Sequence, residues 1–191
     1  MEKLCLRCGH GWNPRKPKKP TICPKCKSPY WDKPRKKITK EFIIKTIKLV
    51  INLHNTIIIK SGGEKGIRDQ GGLYNGVSRI LEFQNKNESK PFDVAAFVYQ
   101  DLAKRHHFFD GNKRTAHCFA KIILMTMNYH LKIRYPKATE FIIAIARDKN
   151  AKSFNEIKAW IRRNAEKIKQ KEMERYLYEL HYDITNEQKE D

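Results

Sequence analysis

Residues 106–116 read His-His-Phe-Phe-Asp-Gly-Asn-Lys-Arg-Thr-Ala. From His106 to Arg114 the chain packs a base, a carboxylate, a glycine, an amide and two adjacent cations, and an apolar helix follows at once. Gly111 lets the backbone turn tightly and approach a ligand, because it has no Cβ. Ala116, Phe119, Ala120, Ile123, Leu124 and Met127 then fall on one helical stripe. The loop therefore runs into a helix N-terminus, where unpaired N–H groups and the positive end of the helix dipole face any bound anion. Lys113 and Arg114 add full positive charge at that same end, an unfavourable place for cations unless an anion offsets them. Phosphate is the anion this pattern expects. Asp110 offers hard oxygen ligands that suit Mg²⁺ held against phosphate oxygens, and Asn112 can both donate and accept. Imidazole is the side chain that titrates nearest neutral pH, which suits His106 to taking a proton from a hydroxyl.

Taken singly these residues say little: an Asp-Gly pair is usually a turn, and Lys-Arg on a helix is usually solvated surface. Taken in order, His106, Phe108, Asp110, Gly111, Asn112, Lys113 and Arg114 resemble the Fic/Doc family signature, His-x-Phe-x-Asp/Asn-Ala/Gly-Asn-Lys/Gly-Arg. Gly66-Ile67-Arg68-Asp69 followed by Leu73 to Ile80 resembles the family's upstream stretch, Tyr99 to Arg105 the helix that feeds the motif, and Ser153 to Ile161, with Trp160, its closing helix. The likeness covers roughly residues 40–165. It implies a mainly α fold, a Fic/Doc-like helical bundle, and an enzyme that transfers part of a nucleotide to a protein side chain. It implies His106 as general base, Phe108 as a buried anchor, Asp110 as the Mg²⁺ ligand, and Gly111, Asn112 and Arg114 as phosphate binders, with Lys113 beside them. Lys113 points to the Doc (death-on-curing) branch, whose toxins phosphorylate a translation factor; the Fic branch, with Gly at that place, attaches AMP. Gly111 stands where the best-known Doc pattern has Ala, and His107 where Pro is frequent. Residues 84–90 are polar and aperiodic, and in the family this neighbourhood contributes a flap that pairs with the target's backbone. The family's inhibitory Ser/Thr-x-x-x-Glu-Gly/Asn helix has no counterpart here, since Ser153 to Glu156 has the wrong spacing. Control by a separate antitoxin protein is the expectation that follows.

Cys5-Leu6-Arg7-Cys8 and Cys23-Pro24-Lys25-Cys26 form two C-x₂-C pairs. Paired thiolates at this spacing suit one tetrahedral Zn²⁺, each pair making a knuckle. A disulfide framework is the alternative, disfavoured because no secretory signal accompanies the cysteines. Such a zinc ribbon has too little apolar core to fold without its metal. Cys118 lies inside the apolar helix as a buried thiol, and His10 is a spare ligand beside four cysteines. His54, His117, His130 and His181 have no mutual ligand spacing and read as structural or surface residues; His107 reads as packing.

Residues 1–40 hold 13 Lys and Arg against 2 acids, a formal +11 of the chain's +19. Four zinc-bound thiolates leave that segment still strongly basic. Arg15-Lys16-Pro17-Lys18-Lys19-Pro20, with Trp12, Tyr30 and Trp31 nearby, suits nucleic-acid phosphate and base stacking as well as a merely solvated face. A zinc-ribbon nucleic-acid-binding regulator with a non-catalytic helical module is thus the rival from another class. The expected division is a ribbon over 1–37, a catalytic domain over 38–168 and a charged C-terminal helix or tail over 169–191. Helices are expected from Thr39 to about 59, then at 73–83, from Pro91, at 111–128, 138–148 and 153–182. No run long enough to span a membrane is expected, nor a targeting segment, so a cytoplasmic location is the default. The pattern as a whole points to a Doc-like enzyme using Mg²⁺-ATP on a hydroxyl of a cytoplasmic protein, with AMP transfer as its alternative.

Overall fold

The elements form around the positions that the sequence pattern marks, with three departures. In the computed structural model the described residues are 2–14, 19–34 and 37–185. Strands β1 (Lys3–Leu4) and β2 (Gly11–Trp12) pair antiparallel, Lys3 opposite Trp12. Together with Cys5, Cys23 and buried Trp31 they make a small separate core. Seven α-helices follow among the described residues: α1 (Lys40–Ser61), α2 (Gln70–Lys86), α3 (Pro91–Val98), α4 (Asn112–Thr126), α5 (Tyr135–Ala146), α6 (Phe154–Asn164) and α7 (Met173–Thr185). The mainly α class and the bundle are as the sequence implies.

α4 is the axis. Its buried residues include Thr115, Ala116, His117, Phe119, Ala120, Lys121 and Leu124, so it is covered nearly all round, by α1, α3, α5 and α7. α1 starts where Thr39 accepts the Phe42 N–H at 3.2 Å and stops at Gly62, whose φ of 75° closes it. α2 starts three residues before its apolar stripe, because Asp69 caps it through the Gly72 N–H at 2.8 Å. α3 continues into a π-helical turn, Tyr99–Ala103, a form that often marks functional sites.

The first departure is in the expected helix over 153–182. α6, started by a Ser153–Glu156 capping box, stops at Asn164, whose side chain donates to the Trp160 carbonyl at 2.9 Å. The chain then extends as β4 (Ala165–Lys167), antiparallel to β3 (Tyr129–Leu131) with His130 opposite Glu166. β3 lies between the helices expected at 111–128 and 138–148. A three-residue pairing has too short a period to read, and no Gly or Pro marks the break. α7 resumes after a 3₁₀ turn and packs on α1 and α4 with Tyr176 and Asp183 fully buried.

The second concerns residues 84–90. α2 runs through Lys86, and a turn at 87–90 leads straight to α3. The segment that pairs with the motif is 66–69 instead. The turn's Glu88 meets Arg7 of the ribbon at 2.7 Å, which joins the two modules.

The third is α1, whose 18-residue window of mean hydropathy 1.5 is long and apolar enough to cross a membrane by length and composition. Its packing against α2, α4 and α7 makes it a helix of the bundle.

Candidate functional site

Motif residues leave the π-helical turn through His106, a non-glycine residue at φ 50°. This left-handed backbone is costly for a side-chain-bearing residue and persists only where neighbours fix it. They do so from several sides. Ile67 and Phe108 make an antiparallel bridge. The Arg68 N–H donates to the His107 carbonyl at 2.8 Å, and Phe109 N–H to Gly66 O at 3.2 Å. The buried His107 side chain lies 3.3 Å from Asp101 of the π-helical turn, which also accepts from Arg79 at 2.7 Å. Burial raises the Asp101 carboxyl, but His107, Arg79 and Arg105 outweigh it and hold it below the usual range. α2 approaches this cluster at Gly76, where a Cβ would lie 2.5 Å from Asp101 Oδ1 and 3.0 Å from His107 Nε2. His107 is packing, as its sequence reading has it, and it is packing that fixes His106.

Phe108 is buried and stacks on His54 of α1 with ring centres 3.9 Å apart and planes 7° off parallel. The Asn112 amide closes the loop on itself: Oδ1 accepts the Phe108 N–H at 2.9 Å and Nδ2 donates to the Phe108 carbonyl at 2.8 Å. Its side chain is thus committed to the loop, and only its backbone N–H is left to meet a phosphate. Gly111 has φ 70°, and a Cβ there would fall 2.9 Å from Ile58 Cδ1. Asp110 is half-exposed; its Oδ1 accepts the Gly111 N–H at 2.5 Å and its Oδ2 lies 3.7 Å from Arg114. Arg114 donates to the Ser61 hydroxyl, to Ser61 O at 3.3 Å and to Gly62 O at 3.2 Å.

His106, Phe109, the segment 110–114 and Tyr135 line one cavity of about 370 Å³. Every motif residue expected to act on nucleotide thus meets the same space, with the α4 N-terminus at its floor. No side chain caps α4 and no acid lies in its first turn, so its positive end faces the cavity with Asp110, just ahead of it, as the nearest acid. An apolar groove of about 500 Å³ between the 37–42 and 81–88 segments lies away from the motif and gathers no comparable set of groups.

In the ribbon, the four thiols of Cys5, Cys8, Cys23 and Cys26 lie within 4.8 Å of one another. Cys5 to Cys26 and Cys8 to Cys23 are both 3.8 Å. That separation is far beyond a disulfide bond and matches the edge of a tetrahedron with metal–sulfur bonds of ~2.3 Å. The two knuckles repeat one design. Gly9 N–H donates to Cys5 O at 2.8 Å and Lys27 N–H to Cys23 O at 2.9 Å, and both turning residues have positive φ. The donor set can hold a metal ion, and its chemistry fits Zn²⁺. His10 stacks near Trp12 instead.

Of the ribbon's expected stacking aromatics, Trp31 is core: it is buried and donates from Nε1 to Pro20 O at 2.8 Å. Tyr30 is exposed under the Arg7 guanidinium. Part of the basic loop, residues 15–18, lies outside the described residues.

His54 is structural, as its place in the sequence suggests, but its contact with the motif was not foreseen. A polar residue on α1's buried stripe, between Val50 and Ile57, was the available signal. His117 and His130 are structural as read, buried against Tyr99 at 2.7 Å and Glu179 at 2.7 Å.

Residues 45–124 match the model of the Fic/DOC family. No curated protein matches the chain. Members of this family are generally transferases that modify proteins by AMP or phosphoryl transfer. The match runs from the second turn of α1 through the motif into α4, so residues 45–124, the stretch that holds the motif, are what this chain shares with the Fic/DOC family.

Proposed function

We propose that the domain is a Doc-like protein kinase, transferring a phosphoryl group from ATP to a hydroxyl of a cytoplasmic protein of the translation-factor class. One observation carries this reading: His106, Asp110, Lys113 and Arg114 converge on a single cavity at an uncapped helix N-terminus. The triphosphate would lie along the α4 N-terminus, held by backbone N–H groups of the 111–113 turn and by Lys113 and Arg114. Mg²⁺, when bound at Asp110, would offset phosphate charge. His106 would accept the target hydroxyl's proton as its oxygen bonds to the γ-phosphorus. The bond from that phosphorus to the bridging oxygen breaks, and ADP leaves. Most of the acceleration would come from positioning and charge stabilisation, as phosphoryl transfer requires.

Lys113 is what favours phosphoryl over nucleotidyl transfer, since a long cation crowds the place that a glycine leaves open for an AMP-transferring pose. The test is intact-mass analysis of cytosolic fractions incubated with zinc-loaded protein and Mg²⁺-ATP, with His106→Ala as control. A wild-type-only gain of about 80 Da, one phosphate, supports the kinase. A gain of about 329 Da, one AMP, replaces it with an AMP transferase. No gain from any source overturns both and leaves the nucleic-acid regulator, for which the basic ribbon with exposed Tyr30 is the supporting feature. In the kinase reading the ribbon serves targeting, and an antitoxin protein supplies control.

A further inference from the structure

One face of α1 carries polar groups that packing alone does not require. His54, Ile58 and Ser61 follow the i, i+4, i+7 spacing of a single helical face, and they are 0%, 3% and 1% exposed. Each touches a different part of the motif. His54 Nε2 lies 3.1 Å from the Asp110 carbonyl. A carbonyl only accepts, so Nε2 carries the hydrogen. The ring's other nitrogen lies 3.3 Å from Asn55 Oδ1. The same ring is the plate on which Phe108 stacks. Ile58 fills the space beneath Gly111, so close that a Cβ there would collide with it. Ser61 donates its hydroxyl to Ile57 O at 2.7 Å, which turns its lone pairs toward Arg114. The guanidinium is then gripped by that hydroxyl and by the Ser61 and Gly62 carbonyls. Carbonyls of a helix's last turn lack partners within the helix and carry its negative end, so α1 ends on a cradle for a cation.

We propose that His54, Ile58 and Ser61 are positioning residues for the transferase site. His54 holds the Asp110 backbone so that its carboxylate stays at the cavity, Ile58 fixes the left-handed turn, and Ser61 aims Arg114. None touches the reacting groups. A leucine at position 54 would pack as well in a bundle but would leave the Asp110 carbonyl without its partner. A histidine there makes sense as a clamp on the motif.

The test separates positioning from folding and from the transferase reading. His54→Phe keeps a flat ring for Phe108 and loses the donor. Ile80→Val, a core trim on α2 away from the motif, serves as the control for general destabilisation. Backbone hydrogen exchange over residues 107–112 is the first readout, since the Phe108 and Gly111 N–H groups bond within this segment and the Phe109 N–H bonds to the Gly66 carbonyl. The expected result is about fivefold faster exchange there in His54→Phe, the scale of one net hydrogen bond, with the rest of the domain unchanged and partial rescue in His54→Gln. Equal exchange at 107–112 in His54→Phe and Ile80→Val overturns the proposal. If the phenylalanine variant does not fold, His54→Asn, polar but too short to reach the carbonyl, gives the same readout. Mg²⁺-ATP affinity is the second readout, and it alone rests on the transferase reading. His54→Phe should raise the Mg²⁺ needed for half-saturation, whereas Ser61→Ala should weaken nucleotide binding severalfold at saturating Mg²⁺. Motif exchange that rises as expected in a protein that binds no Mg²⁺-ATP would uphold the clamp and refute the transferase.

Discussion

Lys121 and Asp183 offer the sharpest test of how the C-terminal helix serves the domain. Lys121 sits in the middle of α4 and Asp183 near the end of α7, and their side chains, 1% and 0% exposed, form an ion pair. Burial raises the Asp183 carboxyl, while Lys121 and the Tyr135 backbone pull it down. His117 Nε2 lies 4.0 Å away and has no hydrogen-bond partner. The ammonium therefore depends on this carboxylate for compensation inside the bundle. Asp183→Asn keeps the shape and removes the charge. Breaking a buried pair from one side costs ~3–5 kcal/mol, a large share of the ~5–15 kcal/mol that holds a domain together. For a chain of this size that corresponds to a fall in melting temperature on the order of 10 °C. The assay is a thermal melt of the zinc-loaded chain at pH 7.5 alongside the double variant Lys121→Met/Asp183→Leu. The double variant should melt near or above wild type, because an apolar pair needs no desolvation of charge. A single variant melting within about 3 °C of wild type would refute the reasoning, since it would mean that Lys121 finds another partner or loses its proton at little cost. The pair lies beneath the motif's cavity: Tyr135, which lines the cavity, packs edge-on against His117. Loss of α7 should thus loosen the cavity wall and not only the tail.

Further outcomes follow from the same geometry. Chelation should remove one zinc per chain, read with a colorimetric indicator, and melt the ribbon while leaving the helical domain's signal in place; Cys23→Ser should prevent the loading. Gly111→Ala should destabilise the protein by ~1–2 kcal/mol, the cost of a left-handed non-glycine residue, plus whatever Ile58 must give, and a denaturant midpoint equal to wild type would contradict it. Burial holds His54, His117 and His130 below the ordinary imidazole value. A depressed folded-state pKa means that stability is full above the unfolded value of ~6.5 and is lost as pH falls below it, by up to ~1.4 kcal/mol per pH unit for each proton taken up. His117, lowered furthest, should dominate. The drop in melting temperature from pH 7.5 to 5.5 should be smaller in His117→Gln than in wild type, a difference that cancels the ribbon's own acid sensitivity; equal drops would show that His117 does not carry it.

What the sequence made legible was local. The motif is one contiguous stretch, and the two cysteine pairs carry their ligand spacing within four residues each. Helix starts showed at Thr39, Pro91 and Ser153, where a cap or a proline stands beside the apolar stripe, but not at Asp69, which caps α2 ahead of its stripe, nor at Pro136 in the first turn of α5. The pieces that remained hidden act across distance in the chain. Asp183 meets Lys121 from 62 residues away, Ser61 meets Arg114 from 53, and His54 meets Asp110 from 56. No periodicity encodes such a pairing. The β3–β4 pairing hid for a different reason: Ala-Glu-Lys has no strand character, and its conformation is imposed by the neighbour it meets. Residues 84–90 look like a loop by composition, although α2 runs through Lys86, whereas the glycines of 62–66 look only like a helix end. They are both an end and the approach to the bridge with Phe108.

The motif's own stability economy bears on what it is for. A domain selected only to fold would cap α4 with a hydrogen-bonding side chain and place an acid in its first turn. This one begins α4 from a left-handed glycine with no side-chain cap, follows it with Lys113 and Arg114, and holds His106 in a left-handed backbone. Each choice is locally unfavourable. Each is offset by a device outside the motif: the bridge from Ile67, the His107–Asp101 contact, the His54 clamp and the cradle at Ser61. Unfavourable local choices held by several independent supports concentrate at functional sites. An anion bound across the α4 N-terminus would satisfy the N–H groups and the two cations together, so Mg²⁺-ATP should raise the melting temperature in proportion to the logarithm of its concentration above Kd. The same addition to a protein whose Lys113 and Arg114 are both alanine should leave the melt unmoved.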